Sequence, residues 1–204
     1  MPEWDEDSPE LGHNLRAVLC RIRDAAQQRK RLTLKMICGW HRDTMRGLAV
    51  PNNKWIGRFR GETGLETIEV RVGGHRGSPA DLVSTELDHF ADRLTRVLSR
   101  LDEAIALDAD LTADQLNAVL NVCAWAHSEW VRIHPFANGN GRTARLLANA
   151  IALRYGLPPF VRLRPRPNHG YAHAAHAAMR GDHRPLALSF RRMLDTTLSG
   201  ESWT

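Results

Sequence analysis

The sequence predicts an all-α fold, a compact multi-helix bundle that carries one small β-hairpin. Three observations predict it. Apolar residues recur at helical spacing over most of the 204 residues. Only one short stretch alternates apolar and polar side chains as a strand does. No internal repeat, heptad array or low-complexity linker breaks the chain into further units.

Residues 1–10 hold five acids and read as a disordered acidic tail. Leu11, Leu15, Val18, Leu19 and Ile22 then mark a helix from about Leu11 to Lys30. Leu34, Ile37, Trp40 and His41 share one side of a second helix, Leu34 to Met45. Gly47, Pro51, Gly57, Gly61 and Gly64 disrupt regular structure after it. Within that region Thr67 to Val72 alternates and is followed by Gly73 and Gly74, the pattern of a short strand or hairpin. Helical periodicity returns from Leu82 to about Leu107, with Leu87, Phe90, Leu94, Leu98 and Leu101 in one stripe. Thr112-Ala-Asp-Gln115 is a capping-box pattern. The helix it opens runs through Val119, Leu120, Cys123 and Trp125 and is apolar over much of its circumference, which places it centrally. After Ile133-His-Pro-Phe136 and the loop Asn138-Gly-Asn-Gly141, an Ala- and Leu-rich run from Thr143 to Tyr155 stops at Gly156, Pro158 and Pro159. Two more helices are expected over Asn168–Met179 and Pro185–Leu198. The result is a single domain over residues 11–198 with a C-terminal tail at 199–204. Trp40, Trp125 and Trp130 are expected in its core, while Trp4 and Trp203 fall in the tails.

Hydrophobic residues make up 43% of the chain and charged residues 25%, ordinary for a globular protein. No apolar run approaches the length of a membrane span. The acidic N-terminus lacks the apolar stretch of a secretory leader. Cys20, Cys38 and Cys123 are odd in number and widely spaced, so free thiols and a reducing, cytoplasmic location are expected. Cys123 reads as a small core residue. The net charge of +5 hides an asymmetry: between Arg132 and Arg192 stand eleven arginines and one acid, Asp182. A basic C-terminal part suits an anionic ligand, whether nucleotide phosphate, nucleic acid or an acidic protein. No helix-turn-helix or zinc motif supports a nucleic-acid binder.

The informative stretch runs from His134 to Arg145. Asn138, Gly139, Asn140 and Gly141 tolerate positive φ, so their amides can turn inward as an anion nest. The loop enters a helix whose N-terminal amides and dipole favour phosphate. Arg142 and Arg145 lie three apart on one side of that first turn. Cations there oppose the helix dipole, a cost that an anion between them would offset. Their guanidinium groups can hold phosphate oxygens bidentately. His134 stands beside the cradle as a general base for neutral pH.

His134-Pro-Phe-x-x-Gly-Asn-Gly-Arg-x-x-Arg145 closely resembles the signature of the Fic family. Ala124 to His127, Val131 to Ile133 and the helix to Tyr155 resemble its flanking helices. Val70-Arg-Val-Gly-Gly74 resembles its flap, and Tyr171, Gly181-Asp182 and Pro185 resemble its later helices. The resemblance covers roughly residues 34–195. It implies a protein adenylyltransferase, which moves AMP from ATP to a Ser, Thr or Tyr hydroxyl of a target protein. His134 would be the catalytic base. Asn138, Gly139, Asn140 and Gly141 would hold the nucleotide phosphates, and Arg142 and Arg145 would neutralise them. Mg2+ would accompany the nucleotide, with Asn138 as a metal ligand. The flap at Val70, Arg71 and Val72 would dock the target by adding a strand. An antitoxin or inhibitory partner, as in a toxin–antitoxin pair, is a further family-level expectation.

One position departs from the family pattern. Many adenylyl-transferring members carry Asp or Glu where Asn138 stands, and here that charge is missing. Three outcomes stay open: weaker AMP transfer, another phosphate-containing group, or a nucleotide-binding module with little activity. The related Doc kinases carry Asn at that position but Lys where Gly141 stands, so at the second position this sequence sides with Fic. An inhibitory pattern, Ser/Thr-x-x-x-Glu-Gly/Asn, has no full match; Thr197-Leu-Ser-Gly-Glu201-Ser202 ends in Ser. His169, His173 and His176 share one face of an expected helix and read as a partly exposed surface, since no nearby acid completes a metal site.

Overall fold

The structure, a computed structural model, describes residues 8–72, 75–167 and 170–200. Seven helices are described among them: α1 (Pro9–Gln27), α2 (Leu34–Thr44), α3 (Val83–Ala104), α4 (Ala113–Ile133), α5 (Asn140–Arg154), α6 (Tyr171–Met179) and α7 (Arg184–Ser199). A two-stranded antiparallel hairpin, β1 (Arg71–Val72) and β2 (His75–Arg76), lies between α2 and α3. The expected all-α bundle with one hairpin is what the chain forms. Among the described residues no helix is long and apolar enough to cross a membrane.

Helix α4 organises the bundle. Thr112 Oγ1 accepts from the Gln115 amide while Gln115 Oε1 accepts from the Thr112 amide, so the expected capping box is formed. Val119, Leu120, Cys123, Ala126 and Trp130 are buried around it. It packs against α5 along most of its length and also touches α3, α6 and α7. Helix α5 is buried on nearly every side, which its small Ala residues permit, and α1 and α2 cover its far face. Trp40, Trp125 and Trp130 are buried as expected, and the thiols of Cys20, Cys38 and Cys123 are free.

Several boundaries differ from the sequence reading by a few residues, and three of the differences have a visible cause. Helix α1 begins at Pro9 rather than Leu11, because Ser8 caps it by accepting from the Glu10 amide. Only residues 1–7 of the expected acidic tail then remain, and they lie outside the described residues, as do Gly73, Gly74, Asn168, His169, Glu201 and Ser202. Helix α5 begins at Asn140 rather than Thr143, so half of the expected loop is its first turn. The strand expected from Thr67 narrows to Arg71 and Val72. Gly77 still donates to the Val70 carbonyl at 3.1 Å, extending the ladder by one bond. The Ile68 carbonyl is taken instead by Arg60 Nη1 at 3.0 Å, which ends the pairing.

Candidate active site

The site begins where α4 stops. Pro135 cannot donate a backbone hydrogen bond, and its ring disfavours the α conformation at His134. His134 ends α4, but it does so in the left-handed region, φ 54°, ψ 57°, rather than in the extended conformation usual before proline. That conformation is uncommon for a residue with a Cβ and is retained where the surroundings impose it. His134 Nδ1 lies 3.0 Å from the Val131 carbonyl oxygen. A carbonyl only accepts, so Nδ1 carries the proton and the neutral ring keeps its lone pair on Nε2. The fold thus sets His134 in the tautomer of a base.

One residue that sequence reading did not single out holds this corner in place. Arg60 is 2% exposed. Its Nε donates to the His134 carbonyl at 2.8 Å, and its Nη2 donates to the carbonyls of Ile133 at 3.0 Å and Ser78 at 2.7 Å. Its amide donates to the Pro135 carbonyl at 2.8 Å. A single guanidinium therefore satisfies the last carbonyls of α4 and ties them to both ends of the hairpin, with its charge at the favourable end of the helix dipole.

The loop after His134 is pinned from two directions. Asn140 Oδ1 accepts from the Phe136 amide at 2.8 Å, and Asn140 Nδ2 donates to the Phe136 carbonyl at 2.7 Å. The Asn140 side chain is thus committed to the loop itself, while its amide belongs to the first turn of α5. From α2, the buried His41 Nε2 lies 3.0 Å from the Asn138 carbonyl, and His41 Nδ1 accepts from the Gly57 amide at 2.9 Å. Both ring nitrogens are used, which fixes the neutral form. Burial pushes its pKa down to about 4. The imidazole also stacks on Phe136, centroids 3.8 Å apart. Gly139 passes beneath with φ 77°; a Cβ there would lie 2.1 Å from Met45 Cε. Helical spacing puts His41 on one side of α2 with Ile37 and Trp40 but carries no sign of this bond.

These elements open onto a cavity of about 420 Å³. His134, Asn138, Gly139, Asn140, Gly141 and Arg145 line it, together with Val70 and Arg71 from the hairpin region. The first intrahelical bond of α5 runs from the Thr143 amide to the Gly139 carbonyl, so the amides of Asn140 and Gly141 precede it and suit an anion. Arg145 is 1% exposed, donates Nη2 to the Leu163 carbonyl at 3.1 Å, and has no partner for its buried Nε. Arg142 is equally buried but is not among the lining residues described. It sits behind the loop, with Nη1 3.9 Å from Met45 Sδ and Nη2 3.4 Å from Asn138 Oδ1. The two arginines expected to act together thus occupy different places.

The same cavity is also lined by His127, Arg166, Tyr171, Ala175 and His176. His127 is buried, lies 2.5 Å from the Tyr171 hydroxyl through Nε2, and has its pKa pushed down to about 3 by burial and by the charges of Arg145 and Arg166. On the outer side, the ring of His75 in β2 meets that of His176 in α6 at 5.5 Å. His173 is exposed and His176 half-buried, the expected partly exposed face.

The fit of a magnesium ion can be tested on these donors. Guanidinium groups only donate, so the amide oxygen of Asn138 is the atom turned towards Arg142. A cation at that oxygen would meet a fixed positive charge. Glu69 is the one carboxylate in the described lining, and it lies 3.6 Å from Arg76. Among the described residues no group of three His, Cys, Asp or Glu side chains could hold a metal. The donor set does not fit a protein-held Mg2+.

Comparison with known proteins agrees with this architecture. A family model described as the Fic/DOC family matches residues 31–152. A Drosophila grimshawi protein named "Protein adenylyltransferase Fic" is 30% identical over 204 residues, which covers 98% of this chain and 36% of that protein. This chain therefore spans little more than a third of that relative's length. Among solved structures, a Fic domain containing signaling protein from Bacteroides thetaiotaomicron superposes with a TM-score of 0.66 at 20% identity, covering 95% of this chain and 73% of that one. Fic-1 from C. elegans gives 0.61 at 27% identity, covering 93% and 48%.

Proposed function

This chain belongs to the Fic/DOC family, and on that premise we propose that it is a protein adenylyltransferase using ATP, with His134 as general base. The observation that carries the reading is the His134 tautomer. Its Nδ1 is tied to the Val131 carbonyl, and the ring lines a cavity floored by the glycine loop and the start of α5. A hydroxyl of a target Ser, Thr or Tyr gives its proton to Nε2 as its oxygen attacks the α-phosphorus. The bond from that phosphorus to the departing oxygen breaks, pyrophosphate leaves, and the imidazolium returns its proton to solvent. Asn140 and Gly141 present their amides to the phosphates, and Arg145 meets their charge from the cavity wall. Arg142 acts through Asn138 and the loop rather than on the nucleotide. The hairpin is two-stranded, so a target segment can add along β1, beside Val70, Arg71 and Val72.

Asn138 favours a second reading, transfer of another phosphate-containing group. One assay separates them: incubate the protein with isotopically labelled ATP and a lysate, then read modified hydroxyl residues by mass spectrometry. AMP adducts are expected, and His134→Ala should slow their formation at least about a hundredfold. Labelling unchanged in that variant would sink the mechanism, and an adduct of a different mass would select the second reading.

A further inference from the structure

We propose that this pocket binds its nucleotide as a metal-free polyanion, its phosphate charge met by Arg145 and Arg166 rather than by a protein-held divalent ion. The proposal rests on the nucleotide reading of the cavity and concerns how the bound charge is balanced.

Three observations carry it. First, the position from which a side chain could reach a metal beside the phosphates is Asn138, and its amide oxygen faces Arg142 Nη2 at 3.4 Å. That oxygen carries no net charge, and its nearest described charged neighbour is a cation. Second, the described cavity lining is cationic. Arg71, Arg145 and Arg166 stand against Glu69 alone, and Glu69 lies beside Arg76. A ligand that suits this wall is strongly negative, and a metal bound to it would lower the charge that the wall is built to meet.

Third, two guanidinium groups reach that wall, the buried Arg145 with a donor to spare and the exposed Arg166 against a ring. Arg145 is buried with its Nε unpartnered, a position whose cost an anion in the cavity would remove. Arg166 comes from the segment before α6. Its guanidinium carbon sits 5.9 Å from the centre of the Tyr171 ring, within cation–π range. Tyr171 is in turn anchored to His127. The charge of Arg166 reaches the cavity: it contributes to lowering the pKa of both His127 and His176. Arg166 lies outside the glycine-loop motif, so this assigns it a nucleotide contact of its own.

The test is a binding measurement on the full chain with the non-hydrolysable analogue AMPPNP, by calorimetry, in excess Mg2+ and in excess EDTA. The dissociation constants should agree within about threefold. A loss of about tenfold or more in EDTA overturns the proposal. Asn138→Asp should acquire a metal requirement, binding about tenfold more tightly with Mg2+ than without, since a carboxylate would then face both the phosphates and the ion. A variant that stays indifferent to Mg2+ refutes the part given to Asn138. Arg166→Ala should weaken binding about fivefold or more in both conditions alike; unchanged affinity removes Arg166 and overturns the charge argument. Absence of AMPPNP binding in both conditions would sink the nucleotide reading itself, and this proposal with it, whereas metal-dependent binding sinks the proposal alone.

Discussion

The buried guanidinium of Arg60 donates from Nε to the carbonyl oxygen of His134 at 2.8 Å, across 74 residues of chain. The same group also reaches Ile133, Ile68 and Ser78. Truncation to Ala would remove these donors, leaving the Ile133 carbonyl only its bond from the Ser78 amide, and would loosen both ends of the hairpin. Arg60→Ala is expected to cost about 3 kcal/mol or more in stability. Arg60→Lys should recover less than half of that, because one ammonium cannot span acceptors that a planar fork reaches. Chemical denaturation of both variants checks the order; equal stability of Arg60→Lys and the parent protein would contradict it.

Gly77, the residue after β2, approaches the proposed base closely. A Cβ at this position would lie 2.8 Å from His134 Cβ and 2.9 Å from Val70 Cγ2. Neither atom is the free end of a long side chain, so Gly77→Ala must push the hairpin off His134. A loss of about 1–3 kcal/mol is expected from the overpacking. Transfer activity should fall further than the folded fraction does, because Gly77 bonds to Val70 and its displacement moves the hairpin whose β1 is offered to the target. Activity per folded molecule equal to that of the parent would show that the hairpin position is not used.

Asn140 differs from its charged isostere by one donor. Its Nδ2 gives a hydrogen to the Phe136 carbonyl, which a carboxylate cannot do. Asn140→Asp would set an anion against that carbonyl and add negative charge at the place proposed for phosphate. Nucleotide affinity should drop by about a hundredfold or more, roughly the effect of one lost loop hydrogen bond plus repulsion of the new carboxylate from carbonyl and phosphate. Titration with AMPPNP reads this directly. Asn140→Ala, which removes both bonds without adding charge, should lose less affinity and more thermal stability.

How much of this was legible in the sequence depended on how locally each role is encoded. The capping box of α4 is written within four residues and could be read directly, and the glycine loop with the proposed base lies within twelve. Arg60 and His41 act across 74 and 97 residues, on backbone carbonyls rather than on a partner side chain. An arginine that bonds to carbonyls leaves no complementary charge in the sequence to betray it. The start of α5 is hidden for a related reason: Asn-Gly reads as loop by propensity, but the two Asn140 bonds to Phe136 fix the approach to the helix and the Thr143 amide closes its first turn on the Gly139 carbonyl. The separation of Arg142 from Arg145 depends on tertiary contacts with Met45 and Leu163, which helical spacing alone does not reveal.

Acid should loosen the site before it unfolds the bundle as a whole. His41 and His127 are both buried and neutral, with pKa values pushed from 6.5 down to about 4 and about 3. In the unfolded chain each returns to an ordinary value, so below pH 6.5 the unfolded state binds more protons than the folded one. Stability therefore falls as pH falls across that window and is fully present above it. Each residue contributes on the order of 2 kcal/mol of loss between pH 7.5 and pH 5, before most carboxylates titrate. Protonating His41 also requires a hydrogen on Nδ1, which expels the Gly57 amide and loosens the hold on the Asn138 carbonyl. Nucleotide affinity should accordingly begin to fall at a higher pH than the helical signal does. Parallel titrations of AMPPNP binding and circular dichroism from pH 7.5 to pH 5 check the order, and a helical signal lost before binding would show that neither imidazole governs acid sensitivity.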